Sequence, residues 1–300
     1  MEDRTEMDQV TLADGRTVAF WTNRAKPERD AKVAVVVCSA FGRRMHQHSV
    51  LASYLQANGI SVVRYDALNH VGMSSGDPLD YTLSDGLVSL EAALQAARDA
   101  LPGYRLGIVA TSLNARVALQ AMAHDKEVAF LVAISGVVNV TFTVNAALGA
   151  DYFVCDERDL PETIEFEGQR IRSIGFHRDY HQAKWGGIES TAELLRGLER
   201  RVVWYHGERD HWIAPEDIAR CTEVAPDDAF LPIVLKGCGH DIGRNPAMAR
   251  QVLKEVVCRS LELAGASGNA RDDVREPEHA ALMRAALDER RRQRRSSIAS

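Results

Sequence analysis

The feature that most constrains this chain is an alternation. Short runs rich in Val and Ile are each followed by a longer stretch with apolar residues at helical spacing. KVAVVVCSAFG (residues 32–42) opens with an almost uninterrupted apolar run. Such a run suits a strand buried on both faces, the condition of a parallel sheet. HSVLASYLQANG (48–59) follows, with Leu51, Tyr54 and Leu55 on one helical face and Asn58-Gly59 as a stop. ISVVRYD (60–66) returns to strand, and TLSDGLVSLEAALQAARDAL (82–101) is a long amphipathic helix. The rhythm continues through strand RLGIVAT (105–111), helix SLNARVALQAMAH (112–124) and strand VAFLVAIS (128–135). It ends with strands VVWYH (202–206) and FLPIVLK (230–236) and helices near 215–224 and 246–264. QVTLADGRTVAFW (9–21) reads as a hairpin about Asp14-Gly15. The expectation is an α/β fold: a mostly parallel central sheet, helices on both faces, and an antiparallel hairpin at one edge.

Two regions depart from the rhythm. Residues 139–195 mix acidic residues with isolated aromatics and hold no long apolar strand, yet the strand–helix order resumes afterwards. A cap inserted into a domain of residues 1–264 explains this better than a second domain. Beyond it, GASGNARDDVREPEH and RRRQRRSSIAS predict a flexible, partly helical tail over 265–300. A net charge of −6 disfavours broad nucleic-acid binding, and the arginines from Arg290 to Arg295 read as a solvated tail. No apolar run reaches 18 residues, so no membrane insertion is expected, and MEDRTEMDQV lacks the apolar core of a secretory signal. Cys38, Cys155, Cys221, Cys238 and Cys258 are widely spaced without a C-x-x-C pair, which points to reduced thiols in a cytoplasm. His46 with His48, and His206 with Asp210 and His211, complete no metal-ligand pattern, so no metal or cofactor is expected.

Chemistry enters with GIVATSLNARVAL (107–119), which sets Ser112 at a small-residue turn between a buried strand and a helix. A serine there projects above the sheet, as in the nucleophile elbow G-x-S-x-G. Here the turn reads Ala110-Thr111-Ser112-Leu113-Asn114. A serine between strand and helix is also a common N-cap, so the turn alone does not define a nucleophile. WYHGERDHW (204–212) and VLKGCGHDIG (234–243) add Asp210 and His240, each just beyond a strand's C-terminal end. Ser, Asp, His is the chain order of α/β-hydrolase triads. A serine hydroxyl needs an adjacent base, here His240, whose imidazole Asp210 would orient. CSAFGRRM (38–45) follows the first buried strand, where such folds carry an oxyanion-hole donor. The Phe41 N–H, with Ala40 as the neighbouring choice, is expected to act beside the Leu113 N–H. Donors of this kind contribute roughly 3–4 kcal/mol each.

The same segments carry a resemblance. SAFGRRMHQHSVLASYLQANGISVVRYDALNHVGMSSG (39–76) resembles a stretch of the acyltransferases of bacterial luminescence operons. Those are acyl-carrier-protein-dependent thioesterases that release myristic acid for a fatty-acid reductase. That family reads S-G-F-A-R-R-M at the start of the block, R-Y-D-S-L in its middle and H-V-G-L-S-S-G at its end. The similarity continues through VATSLNARVA (109–118), VVNV (137–140), ALGADY (147–152), FEGQ (166–169), DHW (210–212) and GHDIG (239–243). It reaches into the E-P…ER-R pattern of the tail and so spans nearly the whole chain.

Carried over residue by residue, the resemblance puts the nucleophile on Ser112, the acid on Asp210 and the base on His240. The family's turn is small-x-Ser-x-Ser, and this chain has Asn114 in place of the second serine. The implied activity is acyl transfer from long-chain fatty acyl thioesters, on acyl-carrier protein or acyl-CoA, through a serine acyl-enzyme. The acyl group would leave as fatty acid or pass to an acceptor, with a fatty-acid reductase complex as an implied partner. Tyr152, Phe153, Phe166, Phe176 and Trp185 of the cap would wall an acyl tunnel, each buried methylene contributing roughly 0.8 kcal/mol. Arg43 and Arg44 would dock an acidic carrier, against the plainer reading of exposed surface charge. Two alternatives compete: a general carboxylesterase on the same triad, and a non-catalytic, hydrolase-like binding module.

Overall fold

The computed structural model describes residues 5–266 and 274–278, with isolated positions 282 and 287. A hairpin of β1 (Thr5–Thr11) and β2 (Thr17–Asn23) forms one edge of an eight-stranded sheet. The sheet continues through β3 (Val33–Cys38), β4 (Ile60–Tyr65), β5 (Arg105–Thr111), β6 (Phe130–Ile134), β9 (Arg201–Gly207) and β10 (Phe230–Leu235). The spatial order is β1-β2-β4-β3-β5-β6-β9-β10. β2 pairs antiparallel with β1 and with β4, and every other pairing is parallel.

Strand periodicity divides the core into two layers. Val33, Val35 and Val37 point to the face covered by α1 (Ser49–Ala57) and α8 (Pro246–Leu263), where Leu51, Leu55, Val252 and Val256 meet them. Ala34, Val36 and Cys38 point to the other face, covered by α2 (Leu83–Ala100), α3 (Asn114–His124) and α7 (Pro215–Val224). Two-sided burial is why these strands carry so few polar residues.

Residues 139–195 fold over the sheet as α4 (Val140–Leu148), a separate two-stranded hairpin of β7 (Thr163–Phe166) and β8 (Gln169–Arg172), α5 (Ser173–Gln182) and α6 (Ile188–Arg196). Their aromatics chiefly pack on one another. Phe153 stacks on Tyr180 with ring centroids 3.6 Å apart, and the Tyr152 hydroxyl donates to the Ser173 carbonyl at 2.6 Å.

Most of the tail anticipated over 265–300 lies outside the described residues. Its described stretch, 274–278, is anchored to α1 and α8. Glu276 pairs with Lys254 at 2.6 Å and accepts the Tyr54 hydroxyl at 3.1 Å, while the Arg275 N–H reaches Asn58 Oδ1 at 2.9 Å. Arg250 makes a further ion pair with Glu276.

Thr82 starts α2 by accepting the Asp85 N–H at 3.1 Å while donating to Asp85 Oδ2 at 2.8 Å. Its extended backbone and hydroxyl satisfy a donor that the first helical turn leaves open. Thr82→Ala is expected to lower stability by about 1 kcal/mol, with Thr82→Ser close to wild type. Urea denaturation checks this, and an unshifted Thr82→Ala midpoint would show that the cap is dispensable.

Candidate active site

The site begins where β5 stops. Ser112 adopts φ +56°, the left-handed region, so α3 starts only at Asn114 and not at the serine. Such a conformation costs a β-carbon-bearing residue on the order of 1–3 kcal/mol and persists only where its surroundings over-determine it. They do so here. The Ser112 N–H donates to the Ile134 carbonyl at 3.0 Å, and the Ser112 carbonyl accepts from Ala115 at 3.0 Å and Val137 at 3.1 Å. The turn leaves the hydroxyl at the strand tip, in a residue only 5% exposed.

The imidazole and the carboxylate arrive on loops after β10 and β9. Those loops touch: the Arg209 N–H donates to the Cys238 carbonyl at 2.8 Å, and a Cβ on Gly207 would come within 2.6 Å of the Gly239 carbonyl. The Ser135 hydroxyl holds the His240 carbonyl at 2.7 Å. His240 Nε2 then lies 2.7 Å from Ser112 Oγ, and His240 Nδ1 lies 2.8 Å from Asp210 Oδ2. The second carboxylate oxygen accepts the Trp212 N–H at 3.0 Å, and the Asp210 side chain has no exposed surface. A carboxylate only accepts, so Nδ1 carries the imidazole proton and Nε2 is free to accept from the hydroxyl. The Trp212 ring covers the imidazole with centroids 4.6 Å apart.

The loop after β3 forms the opposite wall. Ala40 to Arg43 is a tight turn closed by the Arg43 N–H on the Ala40 carbonyl at 3.0 Å, with Gly42 at φ +72° where this turn requires it. The Gly42 N–H donates to His70 Nε2 at 3.0 Å. The amide N–H groups of Ala40, Phe41 and Leu113 donate to no group among the described residues. Below this loop, Asp66 accepts the N–H of Met45 at 2.7 Å and of Met73 at 2.9 Å. Burial pushes the Asp66 carboxyl up to about 6.

Ser112, Asp210 and His240 line one cavity of about 1420 Å³. Phe41, Val50, Ile134, Trp212 and Ile242 supply apolar surface, with Arg43, Arg209, Arg244, Glu167 and Asp241 also lining it. Arg44 is exposed and does not line the cavity, in contrast to Arg43. In contrast to the expected tunnel walls, none of the five cap aromatics lines this space, and all five lie in the buried core that the cap shares with the sheet. Phe166 comes nearest, packing behind Phe41 and Trp212 at 5.4 and 5.5 Å. His46, His48 and His211 face the cavity, but no group of three or more metal-ligating side chains forms among the described residues. Sequence reasoning passed over Ser135, His70 and Trp212. Trp212 adjoins the carboxylate in the DHW string and His70 opens the H-V-G string, so motif position was the available signal. Ser135 carried none.

Sheet order, strained serine turn and paired loops define an α/β-hydrolase fold. Est1E from Butyrivibrio proteoclasticus with ferulic acid bound superposes with a TM-score of 0.66 at 16% identity, over 84% of this chain and 98% of that one. The α/β hydrolase GrgF from Penicillium sp. sh18 superposes at 0.65 with 18% identity, over 87% and 98%. Within that class the chain belongs to the acyl transferase family, whose profile matches residues 5–298. The acyl transferase of Shewanella hanedai is 30% identical over 94% of this chain and 91% of its own length. That of Aliivibrio fischeri is 31% identical over 94% and 92%. No helix among the described residues is long and apolar enough to cross a membrane.

His70 gives this site a pH signature. It is 6% exposed, and burial pushes it down to about 4. An unfolded histidine protonates near 6.5, so between those values the unfolded chain binds a proton that the folded chain refuses. Stability attributable to His70 is therefore present above about 6.5 and lost as pH falls toward 4, by at most about 3 kcal/mol. Asp66, raised in the fold, works in the opposite direction, so the comparison needs a variant. His70→Gln should lose less stability than wild type between pH 7 and about 4.5 in denaturant titrations. Parallel curves would show that His70 does not titrate across that window.

Proposed function

We propose that this chain transfers acyl groups from long-chain fatty acyl thioesters, carried on acyl-carrier protein or coenzyme A, through an acyl-enzyme on Ser112. The observation that carries the reading is the unbroken line Ser112–His240–Asp210, with links of 2.7 and 2.8 Å, opening on one cavity. Membership of the acyl transferase family supplies the reaction class.

In this reading Ser112 Oγ attacks the thioester carbonyl carbon as its proton passes to His240 Nε2. The carbonyl oxygen becomes an oxyanion and receives the Phe41 and Leu113 N–H groups. Collapse breaks the C–S bond, and the imidazolium returns the proton to the leaving thiolate. Water, or an acceptor hydroxyl or thiol, then attacks the acyl-serine with His240 as base. Buried and doubly hydrogen-bonded, Asp210 favours the imidazolium formed at each step. The apolar surface of Val50, Ile134, Trp212 and Ile242 suits an aliphatic chain. The released acid would be substrate for a fatty-acid reductase complex.

Intact-protein mass spectrometry after exposure to a ladder of acyl thioesters tests the proposal. Wild type should gain one acyl mass on Ser112, most strongly with long chains, and Ser112→Ala should gain none. Asp210→Asn should slow acylation by roughly 10⁴-fold. Preference for short oxygen esters would replace this reading with a general carboxylesterase, and refusal of both thioesters and a fluorophosphonate would leave a binding module.

Carrier recognition is read from charge at the cavity. Arg43→Glu should raise KM for a carrier-bound substrate while leaving small free esters unaffected, with Arg44→Glu weaker because that side chain lies outside the cavity. Equal effects on both substrate types would remove the docking role.

A further inference from the structure

Stabilising an oxyanion as proposed requires donors from two separate segments, the Phe41 loop after β3 and the serine turn after β5. One side chain physically joins those segments. Asn114, the first residue of α3, donates Nδ2 to the carbonyl of Ser39. Its Oδ1 accepts the Tyr81 hydroxyl at 3.3 Å. The Ser39 carbonyl can only accept, which fixes the nitrogen end of the amide on that side.

Tyr81 is 1% exposed, and its ring packs edge-on to Phe41 at 5.2 Å and against His70 at 5.0 Å. Gly86 of α2 makes room for the contact. A Cβ there would stand 2.7 Å from the Tyr81 hydroxyl and 3.7 Å from Asn114 Oδ1. Glycine is a poor helix former, and here the space it leaves is filled by this pair.

We propose that Asn114 is a positioning residue that latches the oxyanion loop to the nucleophile turn. The inference rests on the acyl-transfer reading above and adds a residue to it. The Ser39 carbonyl is held by Asn114, the Ala40 carbonyl by the Arg43 N–H, and the Gly42 N–H by His70. A trans peptide points its carbonyl and its N–H in opposite directions. Turning the Ala40 carbonyl toward Arg43 therefore aims the Phe41 N–H the other way, where no described group receives it. Leu113 directly precedes Asn114, so the latch also sets the distance between the two donors.

Asn114→Asp keeps the shape of the side chain and places a second acceptor against the Ser39 carbonyl. Hydrogen exchange across Ser39–Arg44 should quicken in this variant. Its kcat for a long-chain thioester should fall by roughly 10–100-fold with KM within about twofold, because the donors act in the transition state. Affinity for a trifluoromethyl ketone analogue should weaken in parallel with kcat. Tyr81→Phe should give a smaller loss, roughly 3–10-fold, and the double variant should be no worse than Asn114→Asp alone. Unchanged loop exchange and analogue affinity, or fully additive losses, would overturn the latch. Should Asn114→Asp fail to fold, Tyr81→Phe decides by the same exchange and affinity readouts. A wild-type protein that never acylates would sink the acyl-transfer reading instead, and the exchange measurement, which needs no turnover, would still judge the latch.

Discussion

The backbone at Ser112 is the constraint on which the site depends. A strand that ran directly into a helix would bury its last side chain or lay it along the sheet. A single residue at φ +56° turns the chain sharply enough to leave a hydroxyl standing at the strand tip. Three backbone hydrogen bonds, to Ile134, Ala115 and Val137, hold that costly conformation, so the turn is anchored by the neighbouring strand β6 as well as by its own helix. The position of the oxygen is therefore a property of the sheet.

Parallel strands bring their carboxyl ends to one edge, and the loops after β3, β5, β6, β9 and β10 meet there. Contacts between loops then set the chemistry. The β9 and β10 loops share a backbone hydrogen bond, Ser135 grips the carbonyl of the imidazole residue, and Trp212 links the carboxylate to the cap through Thr143, which donates to the Trp212 carbonyl at 2.6 Å. A buried carboxylate is tolerated because both of its oxygens are satisfied, one by an imidazole and one by an amide.

The R-Y-D and H-V-G strings that carry the resemblance contribute scaffolding. Asp66 ties two loops through the Met45 and Met73 amides, and Ser74 and Ser75 receive the Ala19 and Thr17 N–H groups of the edge hairpin. His70 accepts the Gly42 amide of the turn after β3. None of these four residues lines the cavity, and they hold the loops that surround it.

The alternation of apolar strand and amphipathic helix, and with it the order of the sheet elements, was readable from the chain because local periodicity encodes burial. RLGIVAT became β5 over its full length for that reason. Ser112, Asp210 and His240 were readable as well, since each stands in a short loop directly after an apolar run. Other features were decided only in three dimensions. The cap aromatics looked like tunnel walls, but aromatic residues pack wherever their neighbours leave space, and theirs was in the buried core shared by cap and sheet. Arg43 and Arg44 are adjacent in sequence, yet only Arg43 reaches the cavity, because consecutive residues leaving a turn point in different directions. Asn114 looked like a mere departure from a small-residue turn. Its contacts with Ser39 and Tyr81 span 75 and 33 residues, a separation that no local pattern records and only the folded chain brings within hydrogen-bond reach.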